Sequence, residues 1–75
     1  MTWNHRVLKR VYSPGEKCEE THYQIYEVYY NEEGKPTSCT MEPDYPTGES
    51  INELREDLER MIKALEHPIL NYEDF

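Results

Sequence analysis

Cysteine, basic residues and long apolar runs are all scarce in this sequence. The 75 residues include two cysteines, Cys18 and Cys39, too few for the disulfide framework of a small secreted domain. No apolar run approaches the ~18 residues that a membrane-spanning helix needs. The first residues also lack the basic region and apolar stretch of a secretory signal. We therefore expect a cytoplasmic protein with reduced thiols and no membrane association.

The charge balance narrows the range of partners. Eight basic residues stand against sixteen acidic ones, which gives a net charge of −8. Affinity for nucleic acid depends on Lys and Arg side chains that displace counterions from phosphates, and anionic membranes repel an acidic surface in the same way. We expect no direct nucleic-acid binding. A basic protein partner would instead be attracted and steered.

Aromatic and β-branched residues predict three strands. The first covers residues 3–12 and ends at Ser13-Pro14-Gly15, followed by a polar loop over residues 13–21. The second, residues 22–30, carries apolar side chains on both faces, as a strand covered on both sides does. A hairpin at Gly34 leads to the third strand, residues 36–42. The sequence predicts one helix, which can cover only one face of this sheet. We therefore expect a homodimer, in which a second subunit covers the other face.

The clearest local signal is the start of a helix. Ser50 and Glu53 have the S-x-x-E spacing of a capping box, and Pro68 ends the helix near residue 67. A single apolar stripe repeats at steps of three and four residues between these limits. It consists of Ile51, Leu54, Leu58, Met61, Ile62 and Leu65.

These segments predict an α+β domain over residues 1–70. Its fold is a three-stranded antiparallel sheet followed by one amphipathic helix. Ile69 and Leu70 form a short apolar segment that could add a C-terminal strand or attach to the sheet. We expect residues 71–75 to be a frayed tail, because little holds them.

Metal binding and catalysis find little support in the sequence. Cys18 and His22 have ligand-like spacing, but structural zinc sites usually need two such pairs. Cys39 lies in a strand with no nucleophile motif around it. Glu27 stands among apolar neighbours, where we expect an ion pair within the sheet or at an interface. We predict no metal, no cofactor and no enzymatic activity.

Seven tyrosines are many for a chain of this length. Exposed tyrosine is typical of interfaces, because its ring buries area while its hydroxyl stays hydrated. Core packing accounts for about half of them, and we expect the others at a partner contact. The predicted partner surface combines strand tyrosines with acidic residues of strand and helix: Tyr26, Glu27, Tyr29, Tyr30, Glu53, Glu56 and Asp57.

Several segments together resemble a group of small uncharacterised bacterial proteins: Trp3-Asn4-His5-Arg6-Val7, Tyr26-Glu27-Val28-Tyr29-Tyr30, Gly34-Lys35-Pro36 and Gly48-Glu49-Ser50. More broadly, residues 22–65 resemble the HicB-like antitoxin domain, whose Gly-x-[Ser/Thr]-x-x-Glu-[Leu/Ala] helix start matches Gly48, Ser50, Glu53 and Leu54. That resemblance implies a reduced ribonuclease H-like fold and a small basic toxin as partner. The family's Pro-Gly-Cys before the helix start is replaced here by residues 43–47.

Two functional hypotheses follow. The first is a non-catalytic protein-interaction module, which binds a small basic protein in the manner of an antitoxin. The alternative is a small-molecule-binding domain or minor enzyme that uses Glu27 and the strand tyrosines. A pocket with convergent polar groups would favour the alternative.

Overall fold

A computed structural model describes residues 2–15 and 18–75. The elements follow in the order β1 (Trp3–Gly15), β2 (Cys18–Tyr30), β3 (Pro36–Cys39), α1 (Ile51–Ile62) and β4 (Leu70–Asn71). Two 3₁₀ turns, Lys63–Glu66 and Tyr72–Asp74, flank β4. The α+β class is as predicted.

The predicted three-stranded antiparallel sheet is wrong. The sheet is curled, has four strands in the order β3-β2-β1-β4, and is mixed, because β4 runs parallel to β1. Leu70 pairs with Leu8, and Asn71 pairs with Lys9. A strand of two residues has no periodicity to reveal it, and its partner lies at the other end of the chain. The apolar Ile69-Leu70 segment was the only trace of β4 in the sequence.

The β1–β2 hairpin is also longer than predicted. Its antiparallel register runs from Trp3–Tyr29 to Gly15–Cys18, so strands occupy most of the predicted loop over residues 13–21. Residues 16 and 17 of that loop lie outside the described residues. A register shift falls between Tyr12 and Gly15, where Pro14 has no N–H to donate. Such a shift lets an established ladder continue past a proline.

One face of the sheet contains the fully buried core. We call it the tyrosine face; it consists of Asn4, Arg6, Leu8 and Arg10 of β1 and Gln24, Tyr26, Val28 and Tyr30 of β2. Leu8, Tyr26 and Val28 are completely buried. Residues from both edges pack against them, namely Cys39 of β3, Leu70 of β4 and Tyr72 of the following turn.

The opposite face carries the helix. We call it the helix face; it consists of Trp3, His5 and Val7 of β1 and Tyr23, Ile25, Glu27 and Tyr29 of β2. Among these, His5 and Val7 are buried, as are Met61 and Ala64 from α1 and the turn after it. The predicted helix is confirmed, although its last turn, Lys63–Glu66, is 3₁₀. No helix in the described part of the chain is long and apolar enough to cross a membrane.

The residues after β4 contact the tyrosine face. Tyr72–Asp74 form a 3₁₀ turn, and the Tyr72 ring lies 5.5 Å from the Tyr26 ring, centroid to centroid. The Tyr72 hydroxyl donates to the carbonyl oxygen of Met41 at 3.3 Å. This contact links the segment after β4 to the segment after β3, so the tyrosine face is covered from both edges.

Candidate interaction surface

Helix α1 presents only part of its apolar stripe to the sheet. Met61 is buried, whereas 42% of Leu58, 59% of Ile62 and 69% of Leu65 remain exposed. These three residues repeat at steps of four and three, so they form one continuous apolar row on the helix surface. The sheet therefore uses one edge of the stripe and leaves the other open.

The open row forms one wall of an apolar groove of about 440 Å³. The other wall comes from β2 and from the connection between β3 and α1. The groove is lined by Tyr23, Gln24, Ile25, Pro43, Asp44, Pro46, Leu58, Met61, Ile62 and Leu65. Most of these side chains are apolar or aromatic, as in sites that recognise apolar ligands or segments.

The wall opposite the helix is held in place by Asp44. Its backbone N–H donates to the Ile25 carbonyl at 2.8 Å, which fixes the connection against β2. Its Oδ2 also lies 3.0 Å from Nε2 of the buried His5. A connection with two prolines, Pro43 and Pro46, has few backbone conformations to lose. The groove is therefore preformed on this side.

The helix wall is fixed by its N-terminal cap, as predicted. The Ser50 hydroxyl accepts from the Glu53 N–H at 3.1 Å, and the Glu53 carboxylate accepts from the Glu49 N–H at 2.7 Å. Gly48 approaches the first turn so closely that a Cβ would lie 2.8 Å from the Glu53 carbonyl carbon. A residue with a side chain at position 48 would push the connection away from the helix.

Asp57 ties the helix to the connection a second time. Its carboxylate accepts from the Thr47 N–H at 3.0 Å and from Arg60 at 3.2 Å. The Thr47 N–H, with a smaller contribution from Arg60, holds the pKa of Asp57 below its ordinary value. Asp57 is therefore occupied within the fold, which limits what it can offer to a partner.

Acidic side chains border the apolar row. Glu59 and Glu66 are exposed, and each lies three or four positions from Ile62, so both are its neighbours on the helix surface. In the described structure neither carboxylate has a cation within 4.0 Å. Arg55 lies on the same side, where it donates to Asn52 at 3.1 Å. The border of the row is therefore predominantly acidic.

The predicted partner surface does not come together as one patch. Tyr26 is buried in the core. Tyr30 lies on the same tyrosine face, where its hydroxyl donates to Asn4 and accepts from Arg6 at 3.0 Å. Glu27 and Tyr29 lie on the opposite face of the sheet. The strand tyrosines are thus divided between two faces, and the two on the tyrosine face have structural roles.

The remaining predicted site residues are also distributed. The Tyr29 hydroxyl donates to Glu27 at 3.5 Å, and burial, followed by the charge of Glu27, raises the pKa of Tyr29. Glu53 serves the helix cap, and Glu56 is exposed on the outer side of α1. The alternative hypothesis requires Glu27 and the strand tyrosines to converge on a single pocket. In the structure they do not.

Arg10 on the tyrosine face contacts several polar and aromatic groups. Arg10 donates to the Tyr26 hydroxyl at 3.3 Å and to the Met41 carbonyl at 3.1 Å, with its guanidinium carbon 3.9 Å from the Tyr72 ring centroid. Burial raises the pKa of Tyr26, while the Arg10 hydrogen bond opposes that shift. Burial likewise raises the pKa of the Cys39 thiol, so this thiol is a weak nucleophile at neutral pH.

Within residues 2–15 and 18–75, no group of three or more His, Cys, Asp or Glu side chains is arranged to hold a metal ion. Cys18 and Cys39 are both free. Comparison with protein-family models, with curated proteins and with solved structures finds no significant match to this chain.

The apolar stripe was predicted from the sequence, but the groove was not, because periodicity does not show how much of a stripe the sheet covers. The signal was present in the width of the stripe. Six apolar residues in fifteen, with Leu58, Ile62 and Leu65 offset from Met61, are more than a small sheet covers. Pro43 and Pro46 of the connection form part of the opposite wall, which no local pattern in the sequence indicates.

Proposed function

We propose that this protein is a non-catalytic interaction module whose apolar groove binds an amphipathic, basic helix of a partner protein. The observation that carries the proposal is the exposed row of Leu58, Ile62 and Leu65 facing Tyr23 and Ile25 across the groove. Contiguous apolar surface with a polar border is typical of protein-interaction sites. Proteins rarely leave such a row uncovered without a use for it.

The shape of the groove favours a helix as the bound segment. An added strand needs free backbone groups at a sheet edge, whereas a helix needs an apolar groove lined by side chains. The carbonyl of Ile25 already accepts the Asp44 N–H, so β2 offers mainly side chains at this point. The preformed walls also reduce the conformational entropy that binding costs.

Charge favours a basic partner over a second copy of this chain. Each copy carries a net charge of −8, so two copies repel one another, while a cationic helix is attracted and steered. Glu59 and Glu66 stand beside the row, where flanking Lys or Arg residues of a bound helix would meet them. The resemblance to HicB-like domains, whose partners are small basic toxins, supports the same class of partner.

The proposal is tested with two labelled helical peptides that share Leu residues at steps of three and four. One carries Lys on its flanks, and the other carries Glu at the same positions. We expect fluorescence anisotropy to show binding of the Lys peptide alone. Its association should slow as salt rises, because screening shortens the reach of surface charges to ~8 Å at physiological ionic strength.

Ile62→Glu should weaken binding of the Lys peptide by about tenfold or more, because it places a charge in the apolar row. Met41→Glu is the matched control, since Met41 is 78% exposed and is not part of the groove. Equal effects of the two variants would contradict the proposed site.

Self-association through the same groove is the competing outcome. Light scattering would then show twice the monomer mass for the native protein and the monomer mass for Ile62→Glu. If the protein forms this dimer and binds neither peptide, the basic-partner proposal is overturned. The groove would then bind a second copy of the chain.

A further inference from the structure

A second cavity, separate from the apolar groove, lies where the start of β1 meets the end of the helix. It measures about 400 Å³ and is lined by Trp3, Asn4, His5, Arg60, Lys63 and His67. This volume lies within the range of small-molecule sites, roughly 300–1,000 Å³. The cavity exists because β4 pairs with β1 only at Leu8 and Lys9, so the first residues of β1 extend beyond the cover of that strand.

The lining is basic in a strongly acidic protein. Acidic residues outnumber Lys and Arg by sixteen to eight in the chain, yet none of the six lining residues is acidic. Arg60 of α1, Lys63 of the 3₁₀ turn and His67, the extended residue that ends this turn, line the cavity from the helix side. Arg60 is paired with Asp57 at 3.2 Å, whereas Lys63 has no carboxylate within 4.0 Å among the described residues, so Lys63 supplies the unpaired positive charge of this wall.

The opposite wall is aromatic. Trp3 is the single tryptophan of the chain and remains 40% exposed. Its ring meets the His5 ring edge-on, with centroids 5.4 Å apart and planes at 85°. His5 is itself buried and held by Asp44 at 3.0 Å. Trp3 is thus supported from behind, and a planar ligand could stack on a ring so placed.

The third side is positioned by Arg6. Its Nη2 donates to the Pro68 carbonyl at 2.7 Å, and Pro68 directly follows His67. This bond fixes the end of the helical segment against β1. The cavity therefore combines an aromatic ring packed on a buried histidine, a cationic side chain and an anchored segment after the helix.

We infer that this cavity binds a small aromatic anion, with its ring against Trp3 and its carboxylate or phosphate against Lys63, beside Arg60 and His67. Both anions accept charge-assisted hydrogen bonds from Arg and Lys. The inference does not depend on the proposed partner-binding function, because the two cavities share no lining residue.

Fluorescence of Trp3 tests the inference directly, since no other tryptophan contributes to the signal. The probes are phenyl phosphate and benzoate, which distinguish the two anions, with benzamide as the neutral ring and inorganic phosphate as the anion without a ring. We expect at least one of the two aromatic anions to change the Trp3 emission saturably, at concentrations where benzamide and inorganic phosphate do not.

Lys63→Gln should weaken binding of the active probe by about tenfold, because it removes one charge-assisted hydrogen bond. Lys35→Gln, an equal charge change in the exposed hairpin, is the matched control and should leave binding unchanged. Circular dichroism checks that both variants are folded. The inference would be overturned if benzamide or inorganic phosphate changed the Trp3 emission as much as the aromatic anions do, or if no probe changed it. Equal effects of the two variants on binding would also overturn it.

Discussion

The two faces of the sheet are covered in different ways. On the tyrosine face, residues from both edges meet over the core, and the Tyr72 hydroxyl reaches the Met41 carbonyl across it. Leu8, Tyr26 and Val28 beneath are fully buried. On the helix face a single helix lies over His5 and Val7, and more than half of Ile62 and Leu65 remains exposed.

The difference shows how a small domain can separate stability from recognition. Burial of apolar area stabilises the fold by about 25 cal/mol per Å², so the closed tyrosine face contributes most per residue. The half-covered helix face contributes less stability, but it retains apolar surface that a partner can bury. Variants on the two faces should therefore behave differently.

The largest effect is expected on the closed face. Leu8→Ala should lower the free energy of unfolding by about 2–5 kcal/mol, because it leaves a cavity in a fully buried cluster. Urea unfolding measures the loss. Val11→Ala, on the same strand but 38% exposed, is the control and should cost much less. Similar losses for both variants would mean that the tyrosine face is not the main core.

A smaller effect on the free energy of unfolding is expected at the N-terminal cap of α1. Ser50→Ala should cost about 1 kcal/mol, because the Glu53 N–H loses its side-chain acceptor. Ser38→Ala, on the exposed short strand β3, provides the control for removal of a serine hydroxyl. If urea unfolding gives the same midpoint for Ser50→Ala and the native protein, the cap does not stabilise the helix.

The link between Asp57 and Thr47 should depend on pH. Because the pKa of Asp57 is lowered in the folded state, its stabilisation is complete above its unfolded pKa of about 3.9 and is lost as pH falls through the lower folded value. Asp57→Ala should therefore be less stable than the native protein at neutral pH, and the difference should narrow as the pH falls below about 3.9. Glu56→Ala is the control, and a difference that stays constant with pH would contradict this account.

The smallest effect on stability is expected on the open row. Leu65→Gln should change the free energy of unfolding by about 0.5 kcal/mol or less, as surface substitutions do, while it weakens binding of the Lys peptide. Urea unfolding and anisotropy on the same sample separate the two properties. A loss of several kcal/mol would show that the row belongs to the core.

Local signals in the sequence predicted local structure well. Ser50 and Glu53, three positions apart, mark the start of the helix. Gly34, in the left-handed conformation with φ of 78°, marks the hairpin after β2. The second strand was predicted to carry apolar side chains on both faces, and it does, with Ile25 on the helix face and Tyr26 and Val28 on the tyrosine face. These features depend on neighbours in the chain, which is why a pattern reveals them.

Features that depend on distant residues were not predictable in the same way. The pairing of Leu70 with Leu8 and the meeting of Trp3 with His67 join opposite ends of the chain. Arg60, Lys63 and His67, on the helix side of the second cavity, are close together in the sequence. Their aromatic counterpart became visible only once the topology placed β1 beside the helix end.

The parallel pairing of β4 also affects how the protein forms during synthesis. β1 and β2 can pair as soon as both have left the ribosome, but the outer edge of β1 waits for residues made much later. The bond from Arg6 to Pro68 spans 62 positions, and such long-range closure slows folding. A nascent chain thus exposes the outer edge of β1 until Leu70 and Asn71 have been made, and until then this unpaired edge can pair with other chains.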